Sequence, residues 1–181
     1  MSDHGCRATG RLLDICWMIA TAFIAAPLHA QSRTTNLEDR LIAPQNAERS
    51  NHGLPPLRWN PELARKAAPL AHEMADKGHM IEGSAANTFT NPTGENIWAG
   101  TAAAYAPEEM VQMWLDERQF YKSGTFPEIS RTGQWHDVGH YTQIVWKRTK
   151  EVGCAIASGA QLDFLVCLYA EGGNVIGERP F

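Results

Sequence analysis

Apolar residues return at helical spacing through the first half of the chain and crowd into shorter runs in the second. Behind Asn36, a good helix cap, Leu37, Leu41 and the flanking Ile42 give a partial stripe that predicts a helix over 36–50. Pro44 falls inside it and is expected to kink or divide it. The segment Asn51-His52-Gly53-Leu54-Pro55-Pro56 is a stop and turn. Asn60, Pro61 and Glu62 then supply a cap, a first-turn proline and a carboxylate suited to the positive end of a helix. Leu63, Ala67, Leu70, Ala71 and Met74 lie on one side of that second helix, Pro69 predicts a local distortion, and Gly78 ends it.

Residues 81–93 are rich in Gly, Ser, Asn, Thr and Pro and read as a loop. A third helix begins at Pro107, with Glu108 and Glu109 in its first turn and Met110, Met113, Trp114, Glu117 and Tyr121 near one face. A carboxylate on that apolar side needs a partner inside the fold, which singles out Glu117. Thereafter the pattern changes to strands. The alternation and the β-branched and aromatic content of 141–146 predict one strand, and 152–157 and 163–169 predict two more around the turn Ser158-Gly159-Ala160-Gln161. The midpoint between Cys154 and Cys167 falls inside that turn, so they would face each other across an antiparallel hairpin and form a disulfide. Gly172 to Pro180 closes over the end. Helices followed by mostly antiparallel strands predict an α+β layered domain. The pattern does not fix the order of the strands.

The first 30 residues are read separately. Arg7 and Arg11 precede an apolar run from Leu12 to Leu28, and Leu28-His29-Ala30 before Gln31 reads as a secretory signal peptide cleaved after Ala30. Asp14 and Pro27 interrupt the run and place a membrane anchor second. Residues 31–35 form a short linker to a domain over 36–181. Cys6 and Cys16 lie in the leader, so the mature chain keeps one cysteine pair, in keeping with export. With 16 Lys and Arg against 20 Asp and Glu, the net charge is −4 and no basic block occurs, so nucleic acid is not an expected partner.

Chemistry, if present, rests on imidazole and carboxylate. His72, His79, His136, His140, Glu95 and Glu117 are the candidates, as both groups suit a divalent cation or acid–base work. No His-Glu-x-x-His run, Gly-x-Ser-x-Gly elbow or phosphate-binding glycine loop occurs. For any single histidine a structural role is the more frequent outcome.

The motifs resemble the CAP superfamily of cysteine-rich secretory proteins, insect venom antigens and plant pathogenesis-related proteins of the first group. The resemblance is carried by Gly139-His140-Tyr141-Thr142-Gln143-Ile144-Val145-Trp146 with Val152-Gly153-Cys154-Ala155, and by 165–169 with 173–177. Gly94-Glu95-Asn96-Ile97, Asn46-Ala47-Glu48-Arg49, 53–59 and Trp114-Leu115-Asp116-Glu117 add to it, in family order. It implies a three-layer α-β-α sandwich with a central antiparallel sheet. It also implies a cleft tetrad of His79, Glu95, Glu117 and His140, with His72 as the alternative to His79, whose Lys77-Gly78 and Met80 flanks depart from the family pattern. Gln45 stands where the family often has histidine, and one disulfide where several relatives have three.

Three functions follow from the resemblance. The first is a secreted binding protein for a small lipid, sterol or peptide, with Zn2+ or another divalent cation optional on His79 and His140, and with no membrane insertion after signal cleavage. The second is a metal-dependent hydrolase or peptidase with Glu95 or Glu117 as general base. The third is a tetrad that only buttresses the fold. Binding is favoured over catalysis.

Overall fold

The computed structural model describes residues 35–81 and 93–181; the expected signal peptide lies outside them. Four α-helices, α1 (Leu37–Asn51), α2 (Pro61–Lys77), α3 (Pro107–Asp116) and α4 (Gly139–Ile144), accompany four strands, β1 (Arg58–Trp59), β2 (Thr93–Thr101), β3 (Glu151–Ser158) and β4 (Leu162–Ala170), among these residues. The sheet order is β1-β3-β4-β2. The three long strands are antiparallel, and the two-residue β1 adds a parallel edge beside β3, so the sheet is mixed.

The pleat divides the core in two. On β4, Phe164, Val166 and Leu168 pack with Leu63, Ala67, Ala71 and Met74 of α2. The alternate residues Leu165, Cys167 and Tyr169 pack with Leu41 of α1, Met110 and Trp114 of α3, and Tyr141 and Ile144 of α4. The expected three layers follow: α2 on one face, and α1, α3 and α4 on the other. The strand period of two produces this because β4 is buried on both sides.

The second helix starts and stops as its sequence dictates. The Asn60 side chain accepts from the N–H groups of Glu62 and Leu63, and Gly78 takes a left-handed conformation at φ 71°. Neither Pro44 nor Pro69 divides its helix. Each removes one hydrogen bond, and burial of the flanking turns against the sheet and α3 outweighs that loss.

Gly153 on β3 lets α2 approach closely. A Cβ there would stand 2.3 Å from both the Asn60 carbonyl oxygen and the Ala64 nitrogen, which are backbone atoms that cannot swing aside. Gly153→Ala is expected to cost about 1–3 kcal/mol in urea denaturation. A loss below about 0.5 kcal/mol would show that α2 slides freely on the sheet.

One expectation is corrected, and one element was not foreseen. The run 141–146 is not a strand: Gly139–Ile144 forms helix α4, entered through a 3₁₀ turn at Trp135–Val138. Every residue from Tyr141 to Trp146 is buried, so no solvent face imposes a period, and the β-branched and aromatic content reports burial. Conversely, Thr93–Thr101 is a nine-residue strand without strand composition. Its two glycines and its Glu and Asn hide it, and nine registered pairs with β4 create it.

Candidate functional site

Glu117 begins a 3₁₀ turn, Glu117–Phe120, directly after α3, and His140 is the second residue of α4. The end of α3 thus delivers a carboxylate to the start of α4. One oxygen, Oε2, accepts from the backbone N–H groups of His140 and Tyr141, each at 3.0 Å. The other, Oε1, stands 2.6 Å from His140 Nδ1. An ionised carboxylate only accepts, so Nδ1 carries the proton, and in the neutral ring Nε2 keeps its lone pair. The partner expected for Glu117 is therefore His140. Glu117 spends both oxygens on binding α4 and orienting the ring, which suits a positioning carboxylate.

The ring of His140 stacks on Trp114, with centroids 5.8 Å apart and planes at 19°. The His140 side chain is 37% exposed and that of Glu117 18%, so the dyad opens to solvent at the imidazole. Trp135 packs beside Gly139, meets Phe126 edge-on and leaves 40% of its surface exposed near the dyad. Beneath the dyad, Asn96 on β2 donates to the His140 carbonyl oxygen at 3.1 Å. Thr142 and Asn174 clamp the same helix: Thr142 Oγ1 donates to Asn174 Oδ1 at 2.6 Å, and Asn174 Nδ2 to the Gly139 carbonyl at 2.9 Å.

The other candidates lie elsewhere. His79 follows the Gly78 cap, exposed, with Nδ1 2.9 Å from the Met80 carbonyl oxygen. Glu95 is registered opposite Leu168, which sets it on the α2 side of the sheet, the side away from Asn96 and α4. His72 is exposed on α2, and His136 is exposed beside Trp135. No hydrogen bond among the described residues joins any of these four to His140 or Glu117. A metal would find one preoriented ligand, His140 Nε2, with Glu117 behind it in the manner of an outer-shell carboxylate. Among the described residues no group of three or more His, Cys, Asp or Glu could hold an ion. The donor set here fits one coordination position of a metal centre and falls short of a whole one.

A second polar cluster was not foreseen from the sequence. Glu48 of α1 is only 5% exposed. Its Oε1 stands 3.2 Å from the Tyr141 hydroxyl and 3.2 Å from His52 Nε2, and its Oε2 accepts from Arg118 Nη1 at 2.9 Å and Asn51 Nδ2 at 3.2 Å. The available signal was Leu41, Gln45, Glu48 and Arg49 at helical spacing, which places charges on the buried stripe of α1. Burial works to raise the Glu48 carboxyl. The hydrogen bond from Asn51, the Arg118 charge and the bonds from His52 and Tyr141 together outweigh it and hold the group below the usual carboxylate range. Burial, with the Glu48 charge beside it, pushes the Tyr141 phenol up.

A lowered folded value fixes the sign of the pH dependence. The contribution of Glu48 is fully present above its unfolded value, about 4.3, and is lost as pH falls through its folded value. The stability gap between wild type and Glu48→Gln, measured by denaturant midpoints, is therefore expected to be widest at neutral pH and to close in acid. A gap constant from neutral to acid pH would overturn this assignment.

Sequence comparison agrees with the fold. The family model described as CAP: Cysteine-rich secretory protein family matches residues 42–169, and the chain belongs to that family. It is 32% identical to Pathogenesis-related protein PR-1 of Medicago truncatula over 179 residues, covering 94% of this chain and 92% of that one. It is 41% identical to Venom allergen 5 of Vespa mandarinia over 131 residues, covering 68% and 60%. The crystal structure of NaASP2 with Zn2+ shares the fold, with a TM-score of 0.65 at 22% identity over 80% of this chain and 84% of that one. BmVAL-1 does likewise, at 0.61 and 21% over 87% and 85%.

Proposed function

We propose that this CAP protein is exported and uses the half-open His140–Glu117 dyad to bind a small lipid-like or peptide ligand. The observation that carries this reading is the oriented imidazole: Nδ1 is committed to Glu117, Nε2 makes no hydrogen bond among the described residues, and Trp114 lies against the ring. Such a site suits a ligand that pairs an apolar body with an N–H or O–H group. Trp135, 40% exposed, supplies apolar surface near the acceptor, and the buried Trp114 backs the ring. Export is supported by the leader-like residues 1–30 and by the cysteine pair of the remaining chain. Among the described residues no helix is long and apolar enough to cross a membrane.

A divalent cation on His140 is the second reading, because a structural neighbour was solved with Zn2+. It requires further donors, for which His79 and Glu95 are the sequence candidates. A hydrolytic role needs a nucleophile or an activated water in addition. Among the described residues no serine, threonine or cysteine side chain hydrogen-bonds to His140.

Wild type and His140→Ala, titrated with a fluorescent fatty-acid probe, a short-peptide library and Zn2+ alone, separate these readings. Loss of one charge-assisted or well-oriented hydrogen bond, about 1.5–3 kcal/mol, predicts probe or peptide binding at least about tenfold weaker in the variant. Equal affinity in both proteins would remove the dyad from the binding site. Peptide cleavage abolished by His140→Ala would replace binding with hydrolysis.

A further inference from the structure

We infer that Glu48 is a positioning residue for the dyad, a buried carboxylate on α1 that grips both of its halves at once. This rests on the reading of His140 and Glu117 as the site. The geometry is specific. Arg118, bonded to Glu48 Oε2 at 2.9 Å, is the residue that follows Glu117. Tyr141, whose hydroxyl stands 3.2 Å from Glu48 Oε1, is the residue that follows His140. Each dyad member is thus one peptide unit away from a side chain anchored on the same carboxylate. Tyr141 is shared further, since its backbone N–H binds Glu117 Oε2 while its hydroxyl reaches Glu48.

The elements involved need such an anchor. Glu117 lies in a four-residue 3₁₀ turn and His140 in a six-residue helix, and neither is long enough to be stable alone. Helix α1, with fifteen residues, is the rigid member. The groups facing Glu48 from α1 and its C-cap are Asn51, with Nδ2 at 3.2 Å from Oε2, and His52, with Nε2 at 3.2 Å from Oε1 and 2.9 Å from the Tyr141 hydroxyl. The Phe181 ring covers His52 with centroids 4.2 Å apart, so this end of the cluster is shielded and the arrangement is held in place. A hydrogen bond of 2.6 Å between Nδ1 and Oε1 demands placement to a fraction of an ångström, which a turn hinged only on α3 would not supply.

The readout is the tautomer of His140, which a merely stabilising residue would not move. Long-range ¹⁵N–¹H correlation in the alkaline range, where the ring is neutral, is expected to show wild-type His140 as one tautomer, protonated at Nδ1. In Glu48→Gln the two ring ¹⁵N resonances are expected to move toward their mean, as the other tautomer becomes populated. Tyr141→Phe and Arg118→Met, which cut one arm each and disturb the core less, are expected to give smaller shifts in the same sense, and Arg118→Lys to restore most of the wild-type pattern. Leu63→Val, in the core on the other side of the sheet, is expected to lower stability and leave the tautomer unchanged. Glu117→Gln separates the two readings. If it scrambles the tautomer while Glu48→Gln, Tyr141→Phe and Arg118→Met do not, the inference about Glu48 falls and the dyad stands. If it has no effect, the dyad falls and the inference with it. A shift of equal size in Leu63→Val would also overturn the inference.

Discussion

Arg49→Met is expected to destabilise the domain by about 3–5 kcal/mol, a large share of the 5–15 kcal/mol that holds a domain of this size. Arg49 is 1% exposed, and its guanidinium touches four main-chain carbonyls: Pro55 from Nε at 2.8 Å, Ile144 and Trp146 from Nη1 at 2.8 and 2.9 Å, and Thr149 from Nη2 at 3.0 Å. Two of these oxygens lie at the end of α4 and just beyond, where a helix leaves carbonyls without partners and favours positive charge. Trp146 keeps the Thr149 N–H at 3.1 Å, but the others lose the donor supplied by Arg49. A buried carbonyl left without its donor costs about 1–3 kcal/mol.

An opposing effect must be weighed. Burial disfavours the Arg49 charge and pulls its pKa down, so methionine removes a desolvation penalty as well as the hydrogen bonds. The carbonyls are fixed by the backbone and cannot follow, and a thioether offers them nothing. The orphaned acceptors therefore decide the sign. Arg49→Lys should recover only part of the loss, because one ammonium cannot span the carbonyl positions that a planar fork reaches. A urea midpoint within about 1 kcal/mol of wild type for Arg49→Met would show that water or a main-chain shift satisfies those oxygens. The same variant should disturb His140, since Arg49 fixes the far end of the helix that carries it.

Arg49 also shows what could be read from the sequence. Its place in Asn46-Ala47-Glu48-Arg49 was visible as part of a family motif, and its spacing from Leu41 and Gln45 put it on the buried stripe of α1. Its four partners were not visible, because three of them lie about a hundred residues away in loops and a helix end. The same contrast runs through the site. Glu117 was recognisable because a carboxylate on an apolar helix side needs a partner, and His140 because of its motif. That Glu117 lies beyond the end of α3, reaching into α4 with both oxygens, needed the structure. The mistaken strand over 141–146 and the unseen strand β2 have one cause. Periodicity reports a boundary between core and solvent, and neither segment has a simple one. The hairpin was legible because its turn and its two cysteines are local.

That hairpin carries the second large expectation: reducing the Cys154–Cys167 bond should lower stability by about 2–3 kcal/mol. The two residues are registered partners on β3 and β4, with Cα atoms 4.1 Å apart and a separation of thirteen positions in sequence. Constraining a loop of that length in the unfolded chain contributes about 3 kcal/mol on chain-entropy grounds, and less if the unfolded hairpin keeps residual pairing. The folded state should tolerate the loss. Both sulfurs lie in the core between the sheet and α1, α3 and α4, where free thiols still fill space as small apolar groups. Cys154→Ala/Cys167→Ala should lose slightly more than reduction does, because it also empties volume. For a chain of this length the expected fall in Tm is about 5–10 °C, measured by thermal denaturation with and without reductant after a cycle of unfolding. The prior unfolding matters, because both sulfurs are shielded from solvent in the folded protein and reductant alone should act slowly. Identical melting of oxidised and reduced protein would mean that the strand pairing around Cys154 and Cys167 already confines the unfolded chain. A reduced protein that no longer folds would mean that α1, α3 and α4 hold the sheet less firmly than their buried Leu41, Trp114 and Ile144 imply.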